Sequence, residues 1–158
     1  MRKRIIGQAD KVPDRSALQW LSLEELAEVE VTSEDPGFQI ESAFTLEGEG
    51  RGWRAAEPGE QRVRIIFDAP TTVRLIQLQF VENETARTQE FVLRWSTKPS
   101  GDLSEIVRQQ WTFSPNGSTQ ENEDYAVSLT ALRVLELAIK PEISGGNAHA
   151  SLAAWRVA

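Results

Sequence analysis

The chain contains no cysteine. That absence excludes disulfide staples, thiol nucleophiles and thiolate zinc sites together, and it suits a reducing compartment. Histidine is almost as scarce, with His149 the single one in 158 residues. A serine triad or a histidine-based metal site would have to be built around it, and no G-x-S-x-G, H-E-x-x-H or phosphate-loop pattern occurs. His149 is expected to be a satisfied or solvent-facing residue and the chain is not expected to be an enzyme. The abundance of acids alone does not make a glycosidase pair, because sequence does not fix carboxylate separations.

Long apolar runs are also missing, and none approaches the roughly 20 residues of a membrane span. The start, with Arg2, Lys3 and Arg4, resembles the basic end of a signal peptide. The residues that follow, Ile5, Ile6, Gly7, Gln8, Ala9 and Asp10, are too short an apolar stretch to complete one. A cytoplasmic, unexported protein is expected. The net charge of −7 disfavours a nucleic-acid or membrane partner, since no dense basic run lies outside the terminus.

What is present is alternation. Ala27, Val29 and Val31 keep a period of two, as do Val63, Ile65 and Phe67, then Ile76, Leu78 and Phe80, then Phe91, Leu93 and Trp95. Val107, Trp111 and Phe113 follow in one phase. Tyr125, Val127 and Leu129 come next, then Leu135, Leu137 and Ile139, and a last strand within 150–157. All 7 prolines and 10 glycines fall outside these runs, with Pro70 placed to separate two strands. One apolar face per strand predicts an all-β, antiparallel two-sheet jelly-roll sandwich of about eight strands, with at most short helical turns. Ser22 and Glu25 have capping-box spacing, so one turn of helix competes with the first strand for residues 22–28. Residues 1–26 read as an N-terminal extension pinned to the body by Trp20 and Leu21, and 27–158 as the domain.

Several segments, in order, resemble the discoidin (coagulation factor 5/8 type C, galactose-binding domain-like) family. They are Val31-Thr-Ser-Glu-Asp35, Glu41–Phe44 followed by Gly52-Trp53-Arg54, Gln61–Pro70, Arg87–Ser96 and the tail Ala150–Val157. The turn Lys98–Gly101 departs from the family's usual S-x-D-G, and the terminal cysteines of extracellular members are absent. The resemblance implies a non-catalytic carbohydrate-binding module whose loops 33–43, 46–60 and 81–88 gather at one end. The alternative is an intracellular protein-interaction domain on the same fold.

Within those loops the candidate ligand-binding residues are Arg51, Trp53, Arg54, Glu82, Asn83 and Arg87. A tryptophan face beside planar guanidinium and amide groups suits a sugar ring and its vicinal hydroxyls. Trp53 is also open to a second reading, as a core residue. Arg62, Arg64, Arg74 and Arg94 lie opposite the apolar phase and are expected to form cross-strand ion pairs, while Trp111 and Phe113 are expected in the core. The expected ligand is a glycan or a protein, with oligomeric state left open. No cofactor or metal is assigned, although acidic loops around Glu47–Glu49 and Glu121–Asp124 leave a structural calcium as an alternative.

Overall fold

The computed structural model describes residues 1–2, 18–45 and 50–158. Among these, the elements are one helical turn, α1 (Leu23–Leu26), a single 3-10 turn (Ile40–Ala43) and eight strands. The strands are β1 (Ala27–Val31), β2 (Trp53–Pro58), β3 (Gln61–Val81), β4 (Arg87–Ser96), β5 (Ser104–Phe113), β6 (Gln120–Lys140), β7 (His149–Leu152) and β8 (Ala154–Val157). All the pairings are antiparallel.

The architecture follows from two long strands. β3 has 21 residues, about 70 Å if straight, whereas a domain of this size has a radius of gyration of roughly 15 Å. It must therefore bend, and its pairing with β6 shifts register between Ile66 and Leu75. The inward phase switches there: Val63, Ile65 and Phe67 are buried before the bend, and Ile76, Leu78 and Phe80 after it. On the facing strand Ala131 sits at φ 54, in the left-handed region that L-residues enter at a cost. Before the bend β3 pairs with β1 and the end of β6, which continues to β4 and β5. After it β3 pairs with the start of β6 and with β8. The two halves face each other, with Phe80 stacked on Phe91 at 5.1 Å and Tyr125 edge-on to Phe91 at 6.5 Å. The result is an antiparallel β-sandwich, with β2 and β7 forming a small second sheet.

Several expectations need correction. Pro70 does not separate two strands: it lies within β3, at the bend where ladder bonds are already interrupted, and Pro58 ends β2. The runs around Tyr125 and Leu135 likewise belong to one strand, and the last predicted strand is two. β2 was not anticipated, because its second half is exposed and carries little apolar signal. Ser22 precedes α1 without a side-chain cap. Phe113 is buried but Trp111 is only half-buried, its Nε1 donating to Ser118 Oγ at 3.1 Å. Glu121–Asp124 is no loop: it opens β6.

The expected cross-strand ion pairs form in part. Arg64 and Arg94 flank Glu136 in register and both reach its carboxylate, at 2.6 and 3.4 Å. Leu21 donates its N–H to Val157 O at 2.8 Å and packs on the core, a contact of the kind expected of the N-terminal extension. Most of that extension, residues 3–17, lies outside the described residues, as do Glu47 and Glu49.

Candidate functional site

A cleft of about 290 Å³ opens between the β2–β7 sheet and the β3–β4 loop. Its floor follows from strand alternation. Trp53 pairs with Leu152 and Arg54 with Ser151, so Trp53, Ala55, Ala150 and Leu152 turn inward and are buried. Arg54, His149 and Ser151 occupy the opposite, outward face and line the cleft. Gly52 allows this approach: its φ is +77, and a Cβ there would lie 2.6 Å from Leu152 O and 2.9 Å from the Ala153 Cα.

The rim is built by two turns. Phe38, half-buried, projects from a turn in which its N–H donates to Asp35 O and Gly37 N–H donates to the Asp35 carboxylate at 2.9 Å. Phe38 O in turn accepts the Arg54 N–H at 3.1 Å, fixing turn to floor. The opposite lip, 82–85, is held by Glu82, which accepts the Glu84 N–H at 3.2 Å and the Arg87 Nε at 2.8 Å. Burial alone would raise the Glu82 carboxyl. The Arg87 hydrogen bond, the backbone N–H groups of Glu84 and Thr85 and the Arg87 charge outweigh it and hold the group below its ordinary range.

Three of the three predicted loops thus contribute to one cleft, and the sequence candidates divide within it. Arg51, Arg54 and Asn83 are exposed in the cleft, and Glu82 is half-buried on its lip. Trp53 is only 1% exposed, and its Nε1 donates to Ser33 O at 3.0 Å. Its ring is core, so the stacking face considered for it is not available. Arg87 is buried as well. It bonds Glu82, Gln89 Oε1 at 3.3 Å and Pro141 O at 2.9 Å, and lies 4.9 Å over the Phe113 ring.

Behind Arg87 the polar chain continues inward. Gln89 Nε2 donates to Glu121 Oε1 at 2.8 Å, and both residues are fully buried. Burial and the neighbouring Glu123 push the Glu121 carboxyl up to about 7, against the hydrogen bond from Gln89 and the charge of Arg87. Burial, with Glu123 and Glu121, also raises the Tyr125 hydroxyl above its ordinary range. Among the described residues no three His, Asp or Glu side chains are placed to hold a metal ion.

No protein-family model and no curated protein sequence matches the chain. Solved structures do. A family 32 carbohydrate-binding module from a family 31 glycoside hydrolase of Clostridium perfringens superimposes with a TM-score of 0.65 at 16% identity, covering 87% of this chain and 93% of that one. The family 32 module of C. perfringens NanJ, solved with galactose, gives 0.61 at 14% identity, over 87% and 96%. A GH29 fucosidase of Ruminococcus gnavus, solved with fucose, gives 0.64 at 11% identity over 84% of this chain, which spans only 25% of that enzyme's chain. The chain has the discoidin, or galactose-binding-like, fold.

On this discoidin scaffold, sequence reasoning missed Phe38, His149 and Ser151. His149 Nδ1 lies 3.0 Å from Ala55 O, and since a carbonyl only accepts, Nδ1 carries a proton and Nε2 is the ring nitrogen left to other partners. The signal for His149 and Ser151 was the i, i+2 spacing around buried Ala150, which puts both on one outward face. It became useful only once β7 was seen to pair with β2.

Proposed function

We propose that the chain is a non-catalytic carbohydrate-binding module whose ligand occupies the cleft above the β2–β7 sheet. One observation carries the reading: the cleft gathers Arg51, Arg54, Asn83, His149 and Ser151, with the partly exposed Phe38 at its rim. Guanidinium and amide groups, an imidazole and a hydroxyl match the alternating donors and acceptors of a sugar's edge, and Phe38 offers the apolar surface that Trp53 does not. The volume suits one or two sugar rings, and a structural neighbour matched over 96% of its length was solved with galactose. Among the described residues that line the cleft no nucleophile–base pair is assembled, which supports binding without turnover.

Glycan-array screening followed by calorimetry tests this. Affinities of roughly micromolar to millimolar are expected, because few groups meet a small hydrated ligand. Arg54→Ala and Asn83→Ala should each weaken binding. Binding that survives both substitutions unchanged places the ligand elsewhere. A protein that binds no glycan and instead captures one defined protein partner belongs to the interaction-domain class.

A further inference from the structure

The charge pattern of the cleft points to a narrower ligand class. The arginines that lie on or beside the strands are mostly tied down. Arg64 and Arg94 pair with Glu136, Arg108 with Glu90 and Glu105, and Arg87 with Glu82. Arg133 donates to Phe67 O, and Arg156 donates to Gln77 and Thr45 O. Arg51 and Arg54 differ: both are exposed, both line the cleft, and neither has a side-chain partner among the described residues.

The acids around them are mostly committed. Glu82 is held by Arg87. In the neighbouring turn, Glu34 accepts the Ile40 N–H at 2.6 Å and Asp35 accepts the Gly37 N–H. On the floor, Arg54 faces Ser151 across the ladder and shares its outward face with His149, with no acid between them. Of the two acids that line the cleft among the described residues, Glu82 is held by Arg87 and Glu84 by no cation, against two guanidinium groups that have no acidic partner there. Arg62 and Arg74 are also exposed without an acidic partner among the described residues, but neither lines this cleft. A protein carrying a net charge of −7 therefore presents two exposed guanidinium forks with no acidic partner among the described residues where its polar recognition groups converge.

Resting on the reading of this cleft as a sugar site, we infer that it selects a sugar bearing a carboxylate, of the uronic-acid type, over a neutral hexose. A carboxylate has two acceptor oxygens in one plane and matches the guanidinium fork, so Arg51 and Arg54 are the groups that recognise it. Asn83, His149 and Ser151 then address the ring hydroxyls, which acidic and neutral sugars share.

Calorimetry of the full chain with three probes tests the inference: methyl galacturonoside, its uncharged methyl ester and methyl galactoside. The acid should bind about tenfold more tightly than the ester, as a charge-assisted pair in a partly screened cleft would give, and added salt should shrink the difference. Arg54→Gln, and separately Arg51→Gln, should bring the acid-to-ester ratio toward one, while Arg62→Gln on the outer sheet leaves it unchanged. Equal affinity for acid, ester and galactoside would overturn the charge preference while leaving the sugar reading in place. A galactose sulfate that binds more tightly than the galacturonoside would overturn the carboxylate assignment. Failure of all these sugars and of the wider array to bind would remove both readings together.

Discussion

On the lip of the cleft and behind it, Glu82, Arg87, Gln89 and Glu121 form a chain of hydrogen bonds that runs from half-buried to fully buried. On the floor and rim, Arg51 and Arg54, and on the lip itself Asn83, are exposed and have no side-chain partner among the described residues. The two groups have similar composition and opposite physics. A polar group taken out of water must find its partner inside the protein, and this makes Arg87 a structural residue. A polar group left at a concave surface keeps its hydrogen-bonding capacity for something else. The difference assigns roles to residues that chemical type alone leaves equivalent.

The sharpest way to break this comparison is to treat the buried members as ligand-binding residues and remove them. Arg87→Ala leaves Glu82 and Gln89 without their donor and opens space over Phe113, so it should cost about 3–5 kcal/mol of stability. Trp53→Ala removes a core ring and its bond to Ser33 O, with a cost of the same order, about 3–5 kcal/mol. Urea melts measure both. If either variant melts within about 0.5 kcal/mol of the parent, the division of Arg87 and Trp53 from the exposed set is wrong.

The next test uses pH. Glu121 titrates at about 7 in the fold, above its unfolded value, so the native state holds its proton more tightly. Its contribution is fully present below the unfolded carboxylate pKa and is lost as pH rises through about 7. The carboxyls held low by partners, Glu82, Glu90 and Glu142, work in the opposite direction and lose their contribution only as pH falls below the ordinary carboxylate range. Stability should therefore decline between about pH 5 and pH 8. Glu121→Gln keeps an acceptor for Gln89 and carries no charge, so it should flatten that decline and stabilise the fold by about 1–3 kcal/mol at the alkaline end. Parallel pH–denaturation series decide the matter, and a slope identical in the two proteins would clear Glu121 of any part in it.

How much of this was legible beforehand depended on whether a residue's neighbours in sequence were also its neighbours in space. Alternation placed Val63, Ile65, Phe67, Ile76, Leu78 and Phe80 inward correctly, because strand phase is a local property. It could not show that the two runs are one bent strand, since a register shift opposite Ala131 is a tertiary event. Arg51, Arg54, Glu82 and Asn83 were expected in loops that the fold would bring together; they do share the cleft, but Arg54 stands on β2. Phe38, His149 and Ser151 were not, because Phe38 is carried there by a turn bonded to Arg54, and His149 and Ser151 by β7 pairing with β2 across almost a hundred positions of chain. Burial of Arg87 was hidden for the same reason: Glu82 is five residues away, but Pro141 O and the Gln89–Glu121 bond come from distant segments.

The smallest expected effect on stability is also the one that tests the exposed half of the comparison. Arg54→Ala removes a side chain that makes no hydrogen bond or ion pair among the described residues. Its backbone N–H to Phe38 O and its carbonyl bond from Asp35 N are kept by any residue. Thermal and urea melts should therefore shift by no more than about 0.5 kcal/mol. Asn83→Ala, on the exposed lip, should behave alike. A loss beyond about 1.5 kcal/mol in either would show a structural duty for that side chain, and it would then resemble Arg87 rather than oppose it. Unchanged melts together with weakened glycan binding would separate folding from recognition within a single cleft, which is the outcome that the proposed site predicts.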